Sequence, residues 1–160
     1  MAISYDLEYA TESSPAEVAA RLAEIGKGIG VFDATVTPEL LVDPGVNTRQ
    51  GSWIRVTQVR PPQPWHPVVA DLHFTPTVSA AFRMAKGVEV GDQQDDMLRL
   101  VLALLEQVDG DAVLHYQYES IWLLRKNGEL SLSENDDLWR PHRVPFVTQP
   151  YKRVTHRFED

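Results

Sequence analysis

The dipeptide Asn127-Gly128 is the feature that most constrains how this chain folds. It separates two short runs rich in apolar residues, 121–126 and 129–132. An Asn-Gly pair in this position predicts a β-hairpin closed by a type I′ turn, because both residues of that turn need positive φ. Residues 112–132 are therefore predicted to form consecutive antiparallel strands.

A first helix is predicted soon after the N-terminus. Ser14 is the expected N-cap, Pro15 occupies the first helical position, and Glu17 completes a capping box. Apolar side chains then share one face and a glycine follows as the expected stop: Val18, Leu22, Ile25 and Gly26. The glycine-rich residues 26–30 follow this helix, whereas a phosphate-binding loop precedes one, so a C-cap and turn is predicted there.

A second helix is predicted to open at Gly91 and Asp92 and to run to about Gln107. Its apolar side chains cover a wide arc: Met97, Leu98, Val101, Leu102, Leu104 and Leu105. A helix that is apolar over so much of its circumference must bury most of it. We therefore expect this helix to be the most buried element of the fold.

Alternation of apolar and polar residues predicts further strands, because side chains on a strand point to opposite faces in turn. The segments with this pattern are 3–9, 31–37, 52–59 and 77–84, with a basic edge strand at 151–158.

Residues 61–67 hold four prolines and are predicted to form a stiff loop that carries Trp65. The element order is β-α-β-β-β-α-β-β-β. It predicts the α+β class, with two main helices packed on a largely antiparallel sheet. The length favours a single domain over residues 1–160.

Negative charge is concentrated in residues 91–137, which carry eleven acids and three bases. Their net charge of −8 equals that of the whole chain. Such a field repels nucleic acid and attracts a basic partner protein. Part of the segment has a local explanation, since Asp92, Asp95 and Asp96 are assigned to a helix start, where negative charge is favourable.

Other acids of this segment are candidates for partner binding. Asp109 and Asp111 flank Gly110 in a predicted turn, where aspartate is locally favoured. Glu134, Asp136 and Asp137 follow the hairpin without such an explanation. Tryptophans on loops are common interface anchors, although each can instead fold back over the core. The candidate partner-binding residues are Glu134, Asp136, Asp137, Trp139, Trp65, Asp109 and Asp111.

No catalytic constellation or metal site is predicted. Nucleophilic catalysis needs an activated side chain beside a base, and no Gly-x-Ser-x-Gly elbow is present. His66, Asp71 and His73 form the one close histidine and carboxylate group, but their spacing is not that of a standard metal site. We expect a non-enzymatic protein without a cofactor. A small-molecule-binding domain or an enzyme of unrecognised type remains the alternative.

Composition favours a cytoplasmic protein. The chain has no cysteine, which excludes disulfides and thiolate metal sites. Its N-terminus lacks the basic and then apolar order of a signal peptide. The most apolar stretch, residues 97–105, is far shorter than a membrane span. These features predict a protein that contacts neither membrane nor nucleic acid, and they leave its oligomeric state open.

Five stretches of the sequence together resemble one protein family. They are SYDLEYAT near the N-terminus, WHPVVADLHFTPTVS from Trp65, QQDDM from Gln93, YESIWLLR from Tyr118 and QPY from Gln149. The chain resembles the bacterial immunity proteins of the Sit (swarming-inhibition toxin) pairs over most of its length. The resemblance implies a protein that binds and neutralises a cognate toxin and has no enzymatic activity. An acidic protector suits a basic toxin, since it associates quickly through electrostatic steering.

Overall fold

The computed structural model describes residues 3–159 and shows an α+β fold. Its helices and strands are, in chain order, β1 Ser4–Ala10, α1 Pro15–Gly28, α2 Pro38–Val42, β2 Val46–Asn47, β3 Trp53–Gln58, α3 Pro67–Leu72, β4 Val78–Arg83, α4 Val90–Gln107, β5 Asp111–Tyr116, β6 Ser120–Lys126, β7 Glu129–Leu132 and β8 Tyr151–Arg153. Four helices accompany the strands in this part of the chain, of which α1 and α4 are the long ones, as expected.

The strands of residues 3–159 form one sheet in the order β2-β3-β4-β1-β5-β6-β7-β8. Neighbouring strands are antiparallel throughout, except that β8 runs parallel to β7 at one edge. The largely antiparallel sheet is therefore confirmed. The hairpin of β6 and β7 is confirmed as well, since Asn127 and Gly128 both have positive φ, as a type I′ turn requires.

The capping box of α1 forms as predicted. Ser14 accepts the backbone N–H of Glu17 through its hydroxyl, and the Glu17 carboxylate accepts the backbone N–H of Ser14. The helix does not end at Gly26 but runs on to Gly28, and residues 26–30 form its C-terminal turn. Gly26 lies inside the helix because the ring of Phe32 packs directly on it, at a distance that leaves no room for a side chain.

Three stretches differ from the predictions. The edge strand predicted over residues 151–158 forms only at Tyr151–Arg153. Residues 31–37 are not a strand: Val31, Phe32 and Val36 are buried in a loop that leads into α2. Their apolar spacing reflects burial against α1 rather than pairing within the sheet. The proline-rich segment is a loop as expected, but it leads directly into α3, with His66 as its N-cap. Asp71 therefore lies within α3, and His73 is its C-cap.

The two faces of the sheet carry different layers. Tyr5, Leu7 and Tyr9 of β1 lie in the large apolar core that includes α1 and α4. The intervening residues of β1 point to the opposite face. There α3 covers a smaller apolar cluster made of Val68, Leu72, Phe74, Val113, Ile121 and Leu124. On this second face, the half of the sheet formed by β3 and β4 keeps its side chains partly exposed.

Candidate partner-binding surface

The loop after β7 presents the three acids without a local explanation in the sequence. We call Glu134, Asp136 and Asp137 the acidic turn. Its backbone is shaped by Asn135, whose side chain accepts the N–H of Asp137 and whose carbonyl accepts the N–H groups of residues 138 and 139. All three acids are exposed, and the Asp136 side chain retains 89 % of its accessible surface. They are available to a partner approaching from solvent.

The chain places a basic segment of its own beside the acidic turn. We call residues 151–157 the basic tail. The backbone N–H of Thr155 donates to the Glu134 carboxylate at 3.1 Å. In return, the Thr155 hydroxyl accepts the backbone N–H of Glu134 at 3.0 Å. The Arg153 guanidinium donates to the carbonyl of Ser133 at 2.9 Å and reaches the Asp136 carboxylate at 3.5 Å. The acidic turn is thus already in contact with positive charge.

Trp139 does not belong to this surface, although it was a candidate anchor. Its side chain is 1 % exposed and lies in the core. The indole N–H donates to the carbonyl of Trp122 at 2.7 Å, so the ring has both its apolar and its polar requirements met inside the protein. The alternative of a loop tryptophan folded back over the core is the one that the structure shows.

Asp109 and Asp111 lie away from the acidic turn. Asp111 begins β5 opposite Ala10, the last residue of β1, whereas β7 runs toward the other end of the strands. Asp111 is also half-buried, because its carboxylate accepts the backbone N–H of Asn127 at 2.9 Å and lies 3.5 Å from the Lys126 ammonium. Asp109 is exposed in the turn between α4 and β5. The seven candidates therefore do not form one patch.

Two of the acids assigned to a helix start are explained differently. Because α4 begins at Val90, Asp92 alone of the three lies in its first turn. The buried Asp96 carboxylate accepts from the guanidinium of Arg49 at 2.7 and 3.1 Å and from Arg99 at 3.2 Å. The Asp95 carboxylate pairs with Arg143, which follows the acidic turn in the chain. Tertiary ion pairs therefore neutralise part of the acidic segment.

Trp65 is the other candidate anchor, and the structure leaves it on the surface. Its side chain is 74 % exposed in the loop before α3. The next residue, His66, is held in place because its imidazole accepts the backbone N–H of Val68. Trp65 thus projects from the fixed N-terminal end of a short helix.

A buried polar cluster on the second face of the sheet was not predicted. His115 is fully buried and Glu8 is 4 % exposed, with 2.7 Å between the imidazole Nε2 and the Glu8 carboxylate. The other ring nitrogen of His115 accepts the backbone N–H of Tyr118, so Nε2 carries the proton and donates to Glu8. Strand alternation had placed Glu8 on this face, but nothing local indicated that α3 and the C-terminal tail would cover it.

Tyr118 and Phe158 close this cluster from the outside. The Tyr118 ring stacks on His115 with 4.3 Å between centroids, and Phe158 contacts both rings edge-on at 5.5 Å. Burial, together with the nearby carboxylates of Glu8 and Asp6, raises the pKa of the Tyr118 phenol. Desolvation likewise raises the pKa of Asp6. The cluster is thus sealed by aromatic side chains, as befits a structural hydrogen-bond network.

Five cavities of about 230 to 480 Å³ within residues 3–159 are lined by residues other than Glu8 and His115. In the same part of the chain, no three histidine or carboxylate side chains are grouped as metal ligands. His66 and His73 cap opposite ends of α3, and Asp71 instead accepts the backbone N–H of Glu159.

The described residues thus define a class of protein: an α+β molecule with a single mixed sheet, the long helices on one face, the short α3 on the other and an exposed acidic turn after β7. Among these residues no helix combines the length and apolarity needed to cross a membrane. The family model described as SitI3-like matches residues 3–143, and the chain belongs to this family. Comparisons with curated proteins and with solved structures found no match.

Proposed function

We propose that this chain is a non-enzymatic immunity protein that binds a cognate bacterial toxin in the cytoplasm and neutralises it. The observation that carries the proposal is the family match over residues 3–143, because membership of the SitI3-like family supports an immunity role. The fold adds support of a different kind. It presents an exposed acidic surface, as a protein that works by binding a basic partner needs.

The acidic turn is the proposed electrostatic part of the interface. Glu134, Asp136 and Asp137 are exposed together on one loop, and Asn135 fixes the shape of that loop. A fixed cluster of carboxylates attracts a basic partner before contact and accelerates association. We retain these three residues and leave out Trp139, Asp109 and Asp111, because the first is buried and the other two lie at another end of the strands.

Trp65 is the proposed apolar contact. A tryptophan that is 74 % exposed loses much unfavourable hydration when a partner covers it, and tryptophan is enriched among residues that dominate binding energy. Replacing Trp65 by alanine should raise the dissociation rate of the toxin complex. Leu40, which is 41 % exposed on α2, offers a matched control, since Leu40→Ala also removes an exposed apolar side chain.

The absence of catalysis is part of the proposal. Glu8 and His115 form an ionisable pair of the kind used in acid–base chemistry. They are nevertheless sealed under Tyr118 and Phe158, and the cavities described above do not reach them. A general base has to come within hydrogen-bond distance of its substrate, and the burial of this pair supports a structural role instead.

The first experiment tests protection directly. The gene next to the one for this chain is expressed in a bacterial host with and without this protein, and growth is measured. We expect the neighbouring product to arrest growth and this chain to restore it. A toxic neighbour that is not relieved by co-expression would refute the proposed pairing.

The second experiment tests the interface. Replacing Asp136 and Asp137 by lysine should lower the association rate about tenfold at low salt and weaken its salt dependence. The free energy of unfolding should change little, because exposed ion pairs contribute little to stability. A matched control replaces the exposed Glu12 and Glu24 by lysine, which changes the net charge equally at another place. If the two variants bind alike, the acidic turn is not the interface.

A further inference from the structure

The last strand of the sheet is held weakly. β8 pairs with β7 over three residues, Leu130 with Tyr151, Ser131 with Lys152 and Leu132 with Arg153. It forms one edge of the sheet, and Tyr151 and Lys152 are exposed. Short edge segments with solvent-exposed hydrogen bonds open at low free-energy cost. The whole strand also lies beyond the region that the family model matches, which ends at residue 143.

The contacts of β8 and its continuation are mainly electrostatic and polar. Lys152 lies 3.9 Å from the Glu129 carboxylate, and both side chains are largely exposed. Arg153 reaches Asp136 at 3.5 Å, again with an exposed carboxylate. Exposed pairs of this kind contribute little to stability. They show instead that the charges of β8 and of its surroundings are complementary. Four acids border the edge of β7: Glu129, Glu134, Asp136 and Asp137.

The backbone groups of β7 and of the residue after it can form hydrogen bonds with a neighbouring strand of any sequence. Beyond the strand itself, the N–H of Val154 donates to the carbonyl of Leu132 at 2.9 Å, and Arg153 donates to the carbonyl of Ser133. An exposed strand edge is the standard template for an added strand from another chain, with specificity supplied by side chains. The outer edge of β7 is covered by β8 in the structure, and opening of β8 would turn it into such a template with an acidic border.

We propose that the outer edge of β7 is the docking site for an extended basic segment of the toxin, which displaces residues 151–155 and takes their place. This inference rests on the proposed function and assigns the geometry of its interface. The chain's own tail serves as a stand-in for the partner, since Lys152 and Arg153 occupy positions that partner cations would take. Phe158 stays anchored against His115 and Tyr118, so the displaced segment remains tethered.

Hydrogen exchange on the full-length protein tests the displacement without changing the protein's sequence. The probe is the toxin encoded by the neighbouring gene, in a form with its activity inactivated. On binding, deuterium uptake should increase in residues 151–155 and decrease in residues 129–137. Reduced or unchanged uptake in residues 151–155 would overturn the inference, because the tail would then have stayed in place.

A reversible cross-link supplies a second test. The chain has no cysteine, so Ser131→Cys with Lys152→Cys introduces a single disulfide across the β7–β8 pair. The oxidised form should bind the toxin at least about tenfold more weakly than the reduced form of the same variant, because the binding-competent open state is removed. The matched control is Thr57→Cys with Ser79→Cys, a pair of facing residues on β3 and β4. Its affinity should not depend on the redox state.

The outcomes separate this inference from the proposed function. Equal toxin affinity of the oxidised and reduced forms of the Ser131→Cys, Lys152→Cys variant would overturn strand displacement while leaving the immunity role intact. Failure of the wild-type protein to bind or protect would refute both. Should the disulfide fail to form, hydrogen exchange on the wild-type complex decides alone.

Discussion

The guanidinium of Arg143, which is completely buried, donates to the carboxylate of Asp95 at 2.6 Å. The same side chain donates to the carbonyl of Leu138 at 2.9 Å and to the side chain of Gln94 at 3.0 Å. Arg143 therefore joins the segment that follows the acidic turn to α4. Through this contact the position of the proposed interface depends on α4.

Loss of this ion pair should destabilise the protein strongly. Arg143→Met keeps most of the side-chain volume but leaves the largely buried Asp95 carboxylate without its main partner. We expect the free energy of unfolding to fall by about 3 kcal/mol in urea titrations. Arg140→Met is the matched control, because Arg140 is exposed and should change stability by less than about 0.5 kcal/mol. Equal effects of the two substitutions would contradict the buried role of Arg143.

Two glycines of α1 should respond to alanine in opposite ways. A Cβ at Gly26 would lie 2.1 Å from the ring of Phe32, so Gly26→Ala should cost about 1–3 kcal/mol through overpacking. A Cβ at Gly28 meets nothing within 4 Å, and Gly28→Ala should be neutral or stabilise by up to about 1 kcal/mol. Thermal unfolding of both variants measures this difference. A stable Gly26→Ala protein would show that Phe32 does not pack on the helix as observed.

The tryptophans at positions 65 and 139 should separate stability from binding. Trp139→Ala removes a ring that is 1 % exposed and should cost about 3–5 kcal/mol. Trp65→Ala removes an exposed ring and should leave stability within about 0.5 kcal/mol. Urea titration of the two variants tests the contrast. A large loss of stability in Trp65→Ala would mean that its ring packs on the protein and is not free to meet a partner.

Stability should fall at alkaline pH partly through Tyr9. Burial raises the pKa of Tyr9 from its usual 10.0 to about 12, although the nearby Arg125 opposes the shift. Because the folded protein holds this proton more tightly than the unfolded chain does, the contribution is complete below pH 10.0 and is lost as pH rises to about 12. The loss attributable to this one group is on the order of 2 kcal/mol.

Tyr9→Phe isolates that contribution. The variant loses a hydroxyl that donates to the Val108 carbonyl and accepts from Arg125, so its stability is lower at neutral pH. Its free energy of unfolding should nevertheless decline less steeply above pH 10.0, which urea titrations across the alkaline range measure. Identical slopes for the two proteins would contradict the assignment to Tyr9.

Local signals in the sequence predicted local structure well. The capping box at Ser14 and the Asn127-Gly128 turn act over a few residues, so their geometry follows from the chain alone. Residues 31–37 were wrongly predicted as a strand, because buried loop residues and a short strand have the same apolar spacing. α3 was missed because six residues after a proline-rich loop carry too little periodicity to indicate a helix.

The candidate surface was predictable only in part. Trp65 and the acidic turn are exposed, whereas Trp139 is buried and its indole N–H donates to the carbonyl of Trp122. Asp95 and Asp96 resemble ordinary helix-start acids until their arginine partners are known. Those partners lie 48 and 47 residues away along the chain. No local pattern reports such pairings.

The sequence by itself determined the α+β class, the two long helices, the hairpin and the concentration of negative charge. These depend on periodicity, capping and turn chemistry, which act between residues that are close in the sequence. The tertiary structure decided which charges remain free, because strand order brings distant residues together. Glu8 and His115, 107 residues apart, meet under Tyr118, and the basic tail comes to lie beside the acidic turn. Burial and ion pairing are properties of that arrangement, so they emerge only when the sheet is assembled.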